Sequence, residues 1–262
     1  SFHDSAARQW FGGTITPVVC ESFAEVFGVL NRHEAEAAVV AIENSLYGSI
    51  NQVYDLTESH GYPIVGEVHL PVHQQLIGTP GAEVTHIYSH LVALAQCENF
   101  LDARYPQATR VEYHDTAGAV RFVSESGNAS HAAIANREAA QLYNLEVIAA
   151  DIEDNPANFT RFLVIQPGGT PPSNANRTSL VLTTDHTPGA LARILTILAD
   201  YDINLSKLQS RPIIGKPWHY RFYLVLDTAG APLHTALAEI RPFVASLTIL
   251  GEYHSRLSPE SA

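Results

Sequence analysis

Short apolar runs alternate with amphipathic stretches along most of this chain. Residues 37–42, 62–70, 84–88, 131–135 and 159–165 are dense in Val, Ile, Leu and Ala. Runs of about four to eight such residues fit strands buried in a sheet. Between them, residues 23–30, 51–59, 91–103, 117–124 and 137–143 space their apolar side chains as helices do. Alternation at this interval predicts an α/β architecture with largely parallel sheets. Such sheets bind ligands beyond the carboxyl ends of their strands. Here those ends are Glu43-Asn44-Ser45, Ser89-His90 and Asp115-Thr116.

The pattern breaks at Gln166-Pro167-Gly168-Gly169-Thr170-Pro171-Pro172-Ser173-Asn174, which can continue neither a helix nor a central strand. We therefore expect a first domain over 1–167, a linker over 168–177 and a second domain over 178–262. The second domain reads as strand (179–184), helix, strands (203–209 and 220–226), helix (233–241) and strand (246–252). Thr187 is the expected cap of its first helix, with Pro188 as the first helical residue. Leu191, Ile194, Leu195 and Leu198 form that helix's apolar face. This βαββαβ order is ferredoxin-like, which by itself says little about function.

Composition narrows the choices. A length of 262 residues fits two domains. The net charge of −12 argues against nucleic acid and anionic membrane surfaces as partners. No run of about 18 apolar residues is present to span a membrane. Ser1-Phe2-His3-Asp4 does not resemble a secretory signal, so a cytoplasmic location is expected. Cys20 and Cys97 have neither metal-site nor disulfide-framework spacing and read as reduced thiols. The chain contains no Met, from which we expect the native N-terminus to lie upstream of Ser1. Lys207 and Lys216 are the only lysines, so an anionic ligand of the first domain must rely on arginines or helix-start amides. His69/His73 and His86/His90 have metal-like spacing, but neither pair falls on a convincing helix, and no metal is expected.

Four segments gather polar groups where strands end. They are Ile42-Glu43-Asn44-Ser45-Leu46-Tyr47-Gly48, Tyr88-Ser89-His90 running into Ala93-Leu94-Ala95-Gln96-Cys97, Asp115-Thr116-Ala117-Gly118-Ala119, and Asn158-Phe159-Thr160-Arg161-Phe162. In this order and spacing they closely resemble the prephenate dehydratase family. Gly189-Ala190-Leu191 and Ser210-Arg211-Pro212 extend the resemblance to the amino-acid-sensing ACT domain attached to such enzymes. Two positions depart from the family pattern: Leu91-Val92 stands where Pro-Gln is usual, and Gln209 where Glu is usual. The family's first strand and Gly-containing loop would precede Ser1.

The resemblance implies a two-lobed, periplasmic-binding-protein-like catalytic domain followed by the ACT domain. It implies loss of CO2 and water from prephenate to give phenylpyruvate, with L-phenylalanine as allosteric inhibitor and a homodimer or tetramer as the assembly. Aromatisation drives the reaction, so no cofactor is expected. Thr160 is implied as the catalytic hydroxyl beside the leaving group. Arg161 is the candidate partner of the carboxylate that stays charged. Glu43 is a candidate proton source if burial raises its pKa. Asn44, Ser89 and Gln96 are neutral donors suited to orienting a carboxylate without over-binding it. Ser45, His90, Asp115, Thr116, Ala117 and Phe162 are candidate substrate contacts, Asp115 being equally readable as a helix cap. Gly189, Ala190, Leu191, Asn204, Gln209, Ser210, Arg211 and Pro212 are the candidate effector contacts. Three alternatives stay open: an arogenate dehydratase, a non-catalytic small-molecule-binding protein, and a purely regulatory ACT protein whose catalytic half has decayed.

Overall fold

A computed structural model of the chain describes residues 2–185 and 187–255. The final seven positions of the expected second domain lie outside the described residues. The chain opens with α1 (Phe2–Phe11) and α2 (Phe23–Asn31), then β1 (Ala38–Asn44), β2 (Gly48–Ser49), α3 (Asn51–His60) and β3 (Ile64–Pro71). Next come β4 (Gln75–Gly78), β5 (His86–Ser89), α4 (Leu91–Ala95), α5 (Glu98–Arg104), β6 (Thr109–Glu112) and α6 (Thr116–Ser126). They are followed by β7 (His131–Ala135), α7 (Arg137–Leu142), β8 (Glu146–Ala149) and β9 (Phe159–Ile165). The last part holds β10 (Arg177–Thr183), α8 (Ala190–Asp200), β11 (Leu205–Pro212), β12 (Tyr220–Leu226), α9 (Ala231–Ile240) and β13 (Ser246–Tyr253). None of these helices is long and apolar enough to cross a membrane.

The chain divides into two compact units. The first comprises residues 2–6 with Leu70–Thr160; the second comprises Ala7–His69 with residues 161–255. The chain passes between them within β3, after His69, and within β9, after Thr160.

The first unit is built on one five-stranded sheet, ordered β6-β5-β7-β4-β8. β5 runs parallel to β6 and β7, whereas β4 is antiparallel to β7 and β8. The expectation of largely parallel sheets is corrected to a mixed one. Successive strand residues point to opposite faces, and the core divides accordingly. Leu76, Ile87, Ala132 and Ile134 pack with Leu94, Cys97 and Leu101 on one side. Ile77, Tyr88, Ala133 and Ala135 pack with Val120, Val123 and Ala139 on the other.

The second unit holds two four-stranded sheets, β2-β1-β9-β3 and β11-β12-β10-β13. The latter, with α8 and α9, is the expected βαββαβ fold. Leu180, Leu182, Leu224 and Leu226 face its helices. Val181, Tyr223, Leu250 and Tyr253 turn the other way and share a core with Val40, Ile42, Leu163 and Ile165. The βαββαβ sheet is thus packed onto the β1/β9 layer within one unit.

Beyond α1, which the apolar pattern does not predict, two helices differ from expectation. The helix expected over 91–103 breaks between α4 and α5, where Asp154 caps both loose ends. Its backbone N–H donates to Gln96 O (2.7 Å), and its carboxylate accepts from Asn99 N (3.1 Å). A contact 55 residues away in sequence ends the helix, and local periodicity carries no trace of it. Thr187 does not cap α8; Gly189, at φ 80°, does so without a side chain, and Pro188 precedes the helix. The left-handed Gly conformation turns the chain after Pro188 and delays the helix.

Candidate active site

In the first unit, three parallel strands each run into a polar helix cap. β5 leads to His90, whose Nδ1 accepts from Val92 N (3.2 Å) at the start of α4. After β6, Asp115 caps α6 by accepting from Gly118 N (2.7 Å), and its other oxygen lies 2.7 Å from His114 Nε2. β7 leads to Asn136, which caps α7 through Ala139 N (3.2 Å) and donates to Ser5 Oγ (3.4 Å). The Tyr113 N–H donates to Ser89 O (2.8 Å), which joins the first two strand ends. Thr116 and Ala117 are half-buried in the first turn of α6. Sequence reasoning missed Asn136, although Ala-Ile-Ala followed by Asn-Arg-Glu is a legible strand-to-cap transition.

Some expected contacts in this unit are already spent. Ser89 is fully buried and its hydroxyl donates to Ile134 O (2.7 Å), tying β5 to β7. Its single proton is committed, so its expected role as a carboxylate donor gives way to a structural one. Gln96 is buried, and its Oε1 accepts from Gln74 Nε2 (3.3 Å). His73 lies 2.8 Å from Glu153 and 3.9 Å from Asp151 through Nδ1. These three side chains could hold a metal ion, but the His73–Glu153 hydrogen bond already accounts for the cluster.

In the second unit, Asn44 closes the turn after β1, its Oδ1 accepting from Leu46 N (3.0 Å) and Tyr47 N (3.1 Å). Ser45 is exposed on that turn. Glu43 and Arg161 are brought together across neighbouring strands, with Arg161 Nη2 lying 3.2 Å from Glu43 Oε2. Lys207 holds the other Glu43 oxygen. Arg161 is only 8% exposed and also pairs through Nη1 with Glu67 Oε2 at 3.4 Å. The expectation that Arg161 is free to bind a substrate carboxylate is therefore corrected: its two terminal nitrogens are held by protein carboxylates. Glu43, the expected proton source, is only half-buried and has Arg161 and Lys207 on its two oxygens. Phe162 is 1% exposed and packs in the core, so its expected substrate contact gives way to packing. Thr160, half-buried, precedes Arg161 on β9, where the period of two turns them to opposite faces.

Glu67, which the sequence analysis did not single out, is strongly perturbed. Burial alone would raise its pKa, but His69 nearby and the charges of Arg161 and Arg177 outweigh that and bring it down to about 2. A depressed carboxylate stabilises the fold above its unfolded pKa, and that stability is lost as pH falls toward the folded value. From about pH 5.5 to about pH 3 this single group should cost roughly 2 kcal/mol. Urea denaturation at the two pH values should show that excess loss in the parent chain and not in Glu67→Gln. Equal losses would show that Glu67 does not govern the acid limb.

The candidate effector residues fall in two places on the βαββαβ fold. Gly189, Ala190 and Leu191 form the start of α8. Asn204 donates to Asp227 Oδ2 (2.6 Å) just before β11, and the remainder lie on β11, an edge strand of its sheet. Gln209 Oε1 accepts from Ser49 Oγ (2.9 Å), and Arg211 pairs with Asp55 (2.6 Å), whereas Ser210 and Pro212 are exposed.

The family model described as Prephenate dehydratase matches residues 1–169, and that described as ACT domain matches residues 178–241. Arogenate dehydratase 4, chloroplastic, of Arabidopsis thaliana is 36% identical, over 93% of this chain and 63% of that protein. The chain thus spans less than two thirds of that relative's length. A solved structure described as GqqA, a novel type of quorum quenching acylase, superposes with TM-score 0.88 at 32% identity, over 99% of this chain and 96% of its own. The prephenate dehydratase from Arthrobacter aurescens in complex with L-Phe superposes with TM-score 0.87 at 29% identity, over 100% of this chain and 91% of its own. This chain belongs to the prephenate dehydratase family and carries an ACT domain C-terminal to the dehydratase domain.

Proposed function

We propose that this chain converts prephenate to phenylpyruvate, releasing CO2 and water, and that L-phenylalanine bound at the ACT domain inhibits it. The observation that carries the reading is the ordered set of four polar segments inside the region matched by the dehydratase model. In this mechanism the ring carboxylate leaves as CO2, its bonding electrons aromatise the ring, and the ring hydroxyl departs with a proton as water. Thr160 donates the hydrogen bond that eases hydroxide departure. Neutral donors, such as the Thr116 and Ala117 amides at the start of α6, orient the substrate without over-stabilising the carboxylate that is lost. Arg161 acts indirectly, by fixing β9 beside Thr160. The reading brings with it a homodimer or tetramer and a cytoplasmic location, and it needs no redox or electron-sink cofactor because aromatisation supplies the driving force.

The Arabidopsis relative favours a second reading, with arogenate as substrate. Comparing kcat/KM for the two substrates decides between them: the proposal expects prephenate to be preferred, and a reversed ratio would replace it. The likeness to GqqA raises acyl transfer as well. Two motif residues that could serve as its nucleophile are poorly poised. The Ser89 proton is held by Ile134 O, and burial, with Asp154 and Glu153 nearby, pushes the Cys97 thiol well up.

A further inference from the structure

We propose that Lys207 is a positioning residue that couples the state of the ACT domain to Arg161 through Glu43. The inference rests on the preceding reading, in which phenylalanine acts through this domain. Glu43 is a bridging carboxylate, one oxygen on Lys207 Nζ and the other 3.2 Å from Arg161 Nη2. A second chain reaches Arg161 from the same end of β11. Asn204 donates to Asp227 Oδ2 (2.6 Å), and Arg177 donates to Asp227 Oδ1 (2.8 Å). Arg177 Nη1 also donates to Glu67 Oε1 (2.6 Å), and Glu67 Oε2 lies 3.4 Å from Arg161 Nη1. Both terminal nitrogens of Arg161 are therefore held by chains that end within four residues of each other, at Asn204 and Lys207. The side chains of Arg161, Arg177 and Glu67 are at most 9% exposed, so salt screens these links weakly.

The alternation of β11 makes this a device for transmission. Lys207, Gln209 and Arg211 are half-buried, as is Leu205 at the start of the strand, and these three polar residues engage Glu43, Ser49 and Asp55. Leu208, Ser210 and Pro212 are exposed between them. β11 is an edge strand, so it can be displaced by a ligand without breaking pairing on both sides. A displacement along the strand moves all three inward side chains together. Ion pairs and hydrogen bonds are directional, and shifts of about 1 Å weaken them where an apolar contact would only slide. If Lys207 is drawn away, Glu43 is left to Arg161 alone, and the guanidinium of Arg161, the residue after Thr160 in β9, is pulled toward one partner. Ligand occupancy and Arg161 geometry then share a coupling free energy, as allostery requires.

The test uses the full chain with Lys207→Met and Lys207→Arg. Phenylalanine binding is measured by calorimetry, and prephenate turnover is followed with and without saturating phenylalanine. Lys207→Met is expected to bind phenylalanine within about threefold of the parent but to lose at least about tenfold of its inhibition, with Lys207→Arg restoring most of it. If Lys207→Met does not fold, Lys207→Gln, which keeps a donor without the charge, carries the same expectation. Inhibition of the folded variant to the parent's extent overturns the proposal alone. A parent enzyme that turns over prephenate but is not inhibited while phenylalanine is bound overturns the regulatory reading together with it. A parent inert on prephenate strikes first at the proposed activity.

Discussion

Replacing Arg161 with Met should cost roughly 3 kcal/mol of folding stability and most of the activity. Arg161 is nearly buried between Glu43 and Glu67, and the Glu67 side chain is fully buried. Removing the guanidinium leaves Glu67 with Arg177 as its remaining arginine and Glu43 with Lys207. A buried charge that loses a partner pays desolvation without full compensation, which is why breaking such a pair costs far more than breaking a surface one. Arg161→Lys should recover part of the loss, because a single ammonium cannot bridge two carboxylates as the planar fork does. Urea midpoints measured at constant slope check the ordering parent, Lys, Met. A Met variant as stable as the parent would show that the six-charge network of Arg161, Arg177, Lys207, Glu43, Glu67 and Asp227 contributes specificity at most.

Thr160→Val should behave in the opposite way. The β-branched shape is kept, so β9 loses little, and stability is expected to stay within about 1 kcal/mol of the parent. Turnover should fall by about 10²- to 10³-fold, the usual effect of deleting one donor aimed at charge that develops in the transition state. Because that charge is absent from bound prephenate, kcat should carry the loss and KM should move little. A loss confined to KM would mean that Thr160 binds substrate without assisting departure. Thr160→Ser, which restores the hydroxyl, should recover much of the rate.

These two neighbours illustrate what was legible in the sequence. Thr160 and Arg161 stand out in a motif, and opposite faces follow from strand geometry alone. What Arg161 touches does not follow. Its partners Glu43 and Glu67 lie 118 and 94 residues away and arrive through sheet order, which no local pattern encodes. The strands with clean apolar runs, β7 and β9, match their expected bounds, and β12 does too. The apolar pattern gives no sign of β2, β4, β6 and β8, which are two to four residues long, with β2, β6 and β8 at sheet edges. Ser89 looked like a ligand donor because its hydroxyl sits at a strand end; only the neighbouring carbonyl of Ile134 reveals it as a strut. Lys207 was visible as one of two lysines in the chain, but its role depends on the packing of the βαββαβ sheet against β1 and β9. Composition has no bearing on that packing.

The most direct test of the account is to incubate the purified chain with prephenate and follow phenylpyruvate, with and without L-phenylalanine, beside Thr160→Val. The account predicts steady phenylpyruvate formation that phenylalanine suppresses and the variant lacks. A folded parent chain that forms no phenylpyruvate, or a Thr160→Val chain as fast as its parent, would contradict it.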